Sequence, residues 1–97
     1  MILMKRFGIV IGIEHLNQLI ELLERSEVRG YTIIKKAGGL GSRGVRNPDD
    51  LLVSDENAVI ILACKEDQAQ KMLNELRPAM EGLNGMCLIS NCHAHIH

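Results

Sequence analysis

Apolar residues recur along this chain with two different spacings, and each change of spacing predicts a new element. From residue 6 to residue 13 they occupy every second position: Phe7, Ile9, Ile11 and Ile13. This period of two predicts a first strand. The next apolar residues are three and four positions apart: Leu16, Leu19, Ile20 and Leu23. That spacing predicts an amphipathic helix ending near Glu27, before Gly30.

The rest of the chain predicts two strands, a helix and a last strand. Residues 31–37 are rich in β-branched residues and predict a second strand. Residues 57–64 are almost continuously apolar, as in a central strand covered on both sides. Residues 67–77 show the helical spacing again, and Pro78 is expected to end or kink that helix. A last strand is predicted from Met86 to at least Cys92.

The predicted order βαββαβ favours an α+β, ferredoxin-like fold. Its four antiparallel strands would have the spatial order 4-1-3-2, with both helices on one face and a long loop between strands 2 and 3. The first and third strands would be central, in agreement with their apolar character. The third strand is apolar on both sides, so the face without helices is expected to pack against other copies of the chain in a small ring.

Length and charge narrow the classes of function. The 97 residues form one domain, residues 1–97. A net charge of -1 and only two aromatic residues, Phe7 and Tyr31, argue against a nucleic-acid ligand. The sequence shows neither a signal peptide nor an apolar run long enough to span a bilayer. We therefore expect a cytoplasmic protein with reduced cysteines and no membrane insertion.

The segment from residue 38 to residue 56 has neither period, and its first part has the composition of an anion site. It carries four glycines and two arginines: Gly38, Gly39, Gly41, Gly44, Arg43 and Arg46. Glycines allow successive backbone N–H groups to converge on an anion, and arginine binds phosphate oxygens two at a time. Lys35 and Lys36 add positive charge. The segment therefore predicts a phosphate site.

A second interpretation stays open on this pattern alone, namely that the glycines form turns and the cations are simply solvated. The segment is not a Walker loop, because the Gly-Lys-Ser/Thr ending is missing. It is not a Rossmann fingerprint either, because a strand and not a helix follows it.

Two short runs carry a family resemblance. Residues 29–32 read Arg-Gly-Tyr-Thr, and residues 38–46 read Gly-Gly-Leu-Gly-Ser-Arg-Gly-Val-Arg. Together they resemble the second strand and the start of the T-loop of P-II-like signalling proteins, above all those associated with bicarbonate transport and carboxysomes. The resemblance extends over the whole chain in element order, and it identifies residues 38–56 as the T-loop.

The resemblance implies a homotrimer with an adenine-nucleotide site in each cleft between subunits. Near the adenine or ribose it places Gly30, Tyr31 and Thr32. Near the phosphates it places Gly39, Gly41, Ser42, Arg43 and Arg46. It assigns contact with a regulated partner, such as a bicarbonate transporter or another protein of carbon metabolism, to Val45, Asn47 and Asp49. Such proteins are not enzymes, and no catalytic constellation is present in the sequence.

Two departures from the family pattern favour a ligand with few phosphates. Leu40 stands where relatives often carry lysine, and residues 82–85 before the last strand contain no lysine or arginine. AMP, ADP or cyclic AMP is therefore expected rather than ATP. The residues do not decide whether bicarbonate is a further ligand.

The histidine-rich tail supports an alternative of a different class, a trimeric metal-binding or metal-sensing protein. If the last strand continues, His93, His95 and His97 share one face, with imidazoles suited to zinc, copper or nickel. Alternate residues on a strand lie about 7 Å apart, however, so one ion would require a bend or a second chain. A solvated tail, or one that covers a trimer edge, stays open beside this alternative.

Overall fold

A computed structural model describes residues 2–37, 39–41, 44–46, 57–83 and 85–95, with side chains omitted at residues 36, 37, 39–41 and 44–46. In chain order the elements are β1 (Ile2–Gly12), a 3₁₀ turn (Ile13–His15), α1 (Leu16–Arg25), β2 (Thr32–Ala37), β3 (Gly39–Gly41), β4 (Gly44–Arg46), β5 (Asn57–Cys64), α2 (Glu66–Leu83) and β6 (Met86–Ala94).

The main sheet confirms the predicted fold class. Its strands lie in the order β2-β5-β1-β6, and every neighbouring pair is antiparallel. If β1, β2, β5 and β6 are numbered 1 to 4 as the strands of a βαββαβ chain, the order read from the β6 edge is 4-1-3-2. The strands predicted as first and third, β1 and β5, are the central ones. The fold is therefore α+β and ferredoxin-like.

The core lies between the helices and one face of the sheet. Phe7, Ile9 and Ile11 of β1 are fully buried on this face, and the register places them opposite Leu62, Ile60 and Ala58 of β5. The helices cover them with buried residues spaced by three and four positions: Leu16, Leu19, Leu22 and Leu23 of α1, and Ala69, Met72 and Leu76 of α2. The helical spacings seen in the sequence therefore mark the buried faces of both helices.

The opposite face, which we call the open face, is apolar and is not covered by either helix. Residues directly opposite in an antiparallel pair point to the same side, so Gly8 lies between Ile61 and Leu88, and Val10 lies between Val59 and Met86. Large apolar side chains on this face remain about half exposed: Ile34 at 47%, Met86 at 51% and Leu88 at 57%. The prediction of an apolar face without helices is confirmed.

Helix α2 does not end at Pro78, which was one of the two expected outcomes, but continues to Leu83. A proline inside a helix removes one backbone hydrogen bond and crowds the preceding turn. The residues beyond it offset this cost, since Ala79 and Met80 are partly buried against the core. Burial by the tertiary fold thus outweighs the local preference against a helical residue before proline.

The expectation of a connection without regular structure is wrong for six residues of the segment 38–56. Strands β3 and β4 form a small antiparallel sheet, in which Gly39 lies opposite Arg46, Leu40 opposite Val45 and Gly41 opposite Gly44. Periodicity could not show these strands, because three residues rich in glycine carry no alternation of apolar and polar positions. A usable signal is the spacing of Gly41 and Gly44, which leaves two residues between them, the commonest length of a hairpin connection.

The end of α1 is held against α2 by polar contacts. Ser26 is fully buried, and its Oγ lies 3.0 Å from Leu22 O and 2.7 Å from Glu75 Oε2, so its single proton is donated to one of them at a time. Glu27 follows with φ 61°, a left-handed conformation, and its carbonyl oxygen accepts a hydrogen bond from Gln68 Nε2. This junction places a non-glycine residue where helices usually end on glycine.

We expect Glu27→Gly to raise the free energy of unfolding by about 0.5–1 kcal/mol, because glycine adopts positive φ without the steric cost paid by glutamate. The lost contact with Lys71, 3.8 Å between Nζ and Oε2, is exposed and contributes little. Urea denaturation at fixed protein concentration measures the change. The matched control is Glu24→Gly inside α1, which should lower stability by about 1 kcal/mol. A loss of stability in both variants would contradict the assigned strain.

Candidate functional site

The residues expected near adenine lie at the start of β2, and the described residues expected near phosphate follow its end. Gly30 and Tyr31 precede the strand and Thr32 begins it, whereas Ala37 ends it just before β3. Five steps of about 3.3 Å separate Thr32 from Ala37 by roughly 16 Å. One chain therefore does not bring the two groups of residues together.

Of the three residues expected near adenine, two are accessible and one is partly structural. Tyr31 is partly buried and packs against the core, as does Ile33, which shares its side of the strand. Thr32 lies opposite Ile61 and so belongs to the open face. Gly30 is exposed, and a Cβ added there would meet no atom within 4 Å. A ligand at this end would reach Thr32 and the backbone of Gly30 more readily than the face of the Tyr31 ring.

The small sheet of β3 and β4 gathers part of the expected phosphate group. Gly39 and Arg46 lie directly opposite, which places their Cα atoms about 5 Å apart. Gly41 lies in the same sheet, and Val45, expected to contact a partner, lies opposite Leu40. Ser42, Arg43, Asn47 and Asp49 lie outside the described residues. The backbone is thus arranged to present Arg46 beside glycine, the combination expected for an anion.

The histidine tail is only partly described. His93 lies on β6 opposite Leu3, His95 follows the end of that strand, and His97 lies outside the described residues. Among the residues that the structure describes, no group of three histidine, cysteine or acidic side chains could hold a metal ion. The metal-binding alternative therefore gains no support from this part of the chain.

The three cysteines are free thiols. Cys64 is buried, as expected of a small core residue, and burial followed by the negative charge of Asp67 raises the pKa of its thiol. Burial also raises the pKa of the Cys87 thiol. Cys87 and Cys92 are five positions apart on β6 and point to opposite faces. Thiols with raised pKa values stay protonated at neutral pH and are poor nucleophiles, so neither Cys64 nor Cys87 is suited to covalent chemistry.

Comparison with known proteins agrees with this geometry. Residues 4–93 match the family model described as nitrogen regulatory protein P-II. The chain therefore belongs to the P-II family. No curated protein matches its sequence. In the described part of the chain, no helix has the length and apolar character needed to cross a membrane.

Several solved structures of PII-like and PII proteins are similar to this chain. CPII, a nitrogen regulatory PII-like protein from Thiomonas intermedia K12 bound to ADP, AMP and bicarbonate, is 26% identical, with a TM-score of 0.82 over 94% of this chain and 87% of CPII. A second structure of CPII, bound to ADP and bicarbonate, is 27% identical, with a TM-score of 0.80 over the same shares. The fold is also shared with Arabidopsis thaliana PII bound to citrate, at 15% identity and a TM-score of 0.63 over 89% of this chain and 74% of that one.

Proposed function

We propose that this chain is a P-II-like signalling protein that binds an adenine nucleotide between neighbouring subunits of a homotrimer. The observation that carries the proposal is the position of the candidate residues at the two ends of β2. Thr32 and Ala37 are separated by the length of the strand, and a compact ligand that contacts both groups of residues would be accommodated best between two chains. A trimer supplies one such cleft for each pair of neighbours.

The open face supplies the surface for this assembly. Val10, Val59 and Ile61 line it on the central strands, and Met86 and Leu88 extend it on β6. A soluble protein rarely leaves a continuous apolar face of this kind in water. A second and a third copy of the chain would cover it, and members of this family typically form trimers.

The ligand that fits best is AMP or ADP. Arg43 and Arg46 are the cations assigned to the phosphates, and the turn before β6 adds none. CPII, which is similar over most of its length, was found with ADP, AMP and bicarbonate, and this supports both a nucleotide with few phosphates and bicarbonate as a further ligand. Cyclic AMP serves as a comparison ligand in the experiment below.

The signal would leave through the T-loop, residues 38–56. A ligand can reorder a loop only to the extent that it binds one loop conformation better than another. Phosphate bound to Arg46 and to the glycines of β3 would favour one conformation at the base of the loop. Val45, Asn47 and Asp49 would then contact or release a cytoplasmic partner, such as the cytoplasmic side of a bicarbonate transporter. No chemical reaction is required of the protein.

For the assembly, we expect the native chain to sediment as a trimer and Met86→Glu, on the open face, to sediment as a monomer, because the new carboxylate would be buried without a partner. Analytical ultracentrifugation measures the mass, and circular dichroism checks that the fold remains. The control is Leu3→Glu, since Leu3 is 63% exposed and lies on the other face of the sheet. A monomeric native chain would contradict the trimer.

For the ligand, we expect calorimetric titration to show binding of AMP or ADP to the native chain. Arg43→Ala and Arg46→Ala should each weaken binding about tenfold or more, since a hydrogen bond to a charged group contributes about 1.5–3 kcal/mol. Arg25→Ala, an exposed arginine on α1, is the control and should bind as the native chain does. Absence of heat with AMP, ADP, ATP and cyclic AMP alike would refute the nucleotide site.

A site built from two chains can be restored by mixing. A Cβ at Gly30 would meet no atom of its own chain within 4 Å, so Gly30→Trp is chosen to block the adenine end, whereas Arg43→Ala disables the phosphate end. Neither homotrimer should bind ADP well, but trimers refolded from a mixture should recover a fraction of the sites. A mixture of Arg43→Ala with Arg46→Ala, which alter the same end, should recover none. Equal behaviour of the two mixtures would show that the site lies within one chain.

A further inference from the structure

Arg6 is a charged residue on the open face, and three of its nearest positions there carry small residues. It lies in the central strand β1, directly opposite Ala63 of β5 on one side and Ser90 of β6 on the other. The next residue of β1 on this face is Gly8, where an added Cβ would meet no atom within 4 Å. The guanidinium and the Ser90 hydroxyl thus border a part of the face that carries no side chain.

Arg6 also lacks a counter-charge among the residues that the structure describes. By register, the other described side chains that β1, β5 and β6 direct to the open face are apolar or neutral, including Met4, Ile61 and Cys92. Within the described residues Arg6 forms no ion pair. Its neighbour Lys5 points to the opposite face, where Nζ donates to Asn91 Oδ1 at 2.6 Å.

The carboxylates that the structure describes are remote from Arg6. The described acidic residues lie on the two helices and the segments next to them. Glu14 comes closest to the open face, because its carboxylate lies where a Cβ of Gly12 would be. Gly12 is six positions from Arg6 on β1, which is roughly 20 Å.

Burial of this face would therefore leave a positive charge without a partner. In the proposed trimer, on which this inference rests, each copy that covers the open face brings another Arg6. A guanidinium removed from water without a counter-charge is strongly destabilising, and like charges repel. An anion that accompanies the arginines would remove this cost.

We propose that Arg6 and Ser90 bind a small oxyanion, such as phosphate or bicarbonate, above Gly8 at the interface between subunits. Guanidinium donates two parallel N–H groups that match two oxygens of such an anion. Residues directly opposite on antiparallel strands have Cβ atoms about 4.5–5.5 Å apart, so the Ser90 hydroxyl can donate to the same anion. The absence of a side chain at Gly8 provides the space. The anion is either free or the phosphate of a bound nucleotide.

The test measures assembly and thermal unfolding of the full chain with inorganic phosphate or bicarbonate, against chloride at equal ionic strength. We expect phosphate to stabilise the native trimer. In Arg6→Gln the phosphate concentration that gives half of this effect should rise about tenfold or more. Lys5→Gln removes an equal charge from the neighbouring position on the other face and should respond as the native chain does. Ser90→Ala should show a smaller loss than Arg6→Gln.

The outcomes separate the alternatives. If Arg6→Gln loses the response to phosphate but binds ADP with unchanged affinity, the anion is a free oxyanion. If Arg6→Gln binds ADP more weakly but adenosine as before, the anion is the phosphate of the nucleotide. Equal responses to anions in Arg6→Gln and Lys5→Gln would overturn this inference and leave the proposed trimer intact. The same conclusion would follow if Glu14→Gln had the same effects as Arg6→Gln and those effects did not depend on anions. A native chain that stays monomeric at every anion concentration overturns the proposed trimer and this inference together.

Discussion

The structure depends on one constraint, that a four-stranded sheet is covered by helices on one face only. Phe7, Ile9 and Ile11 lie beneath the helices and supply the core, while Gly8 and Val10 of the same strand face the other way. Two-residue periodicity makes this division unavoidable, because each strand divides its side chains between two faces. An apolar open face then requires a second surface, and the proposed assembly provides it.

The position of the candidate site follows from the same sheet. Strand β2 lies at an edge and joins the end of α1 to the small sheet of β3 and β4. Its length keeps Thr32 away from Ala37, after which the glycine-rich segment begins. In the proposed function the strand separates two partial sites, and ligand binding would be coupled to assembly because each site is completed by a second chain. The family model that the chain matches is that of a regulatory protein, and the proposed arrangement is consistent with such a role.

The charge of Arg6 limits which surfaces can pack against the open face. Arg6 is a charge within an apolar and neutral surface, and burying it without a counter-charge is costly. At the base of the T-loop, in contrast, Arg46 lies opposite Gly39 in the small sheet of β3 and β4. The two arginines therefore have different parts in the proposals: Arg46 would bind a nucleotide phosphate, and Arg6 would make the stability of the assembly depend on an anion.

The sequence by itself determined the elements with strong periods. The alternation in β1, the apolar run of β5 and the helical spacing in α1 and α2 each led to the correct element, because burial on one face imposes a period on the residues themselves. Only the tertiary structure decided the continuation of α2 beyond Pro78, where burial of Ala79 and Met80 outweighs a local penalty, and the pairing of β3 with β4, where glycines carry no period. It alone also decided that the two groups of candidate residues lie apart on β2, because distance along a strand becomes distance in space only when the strand is extended and fixed in a sheet.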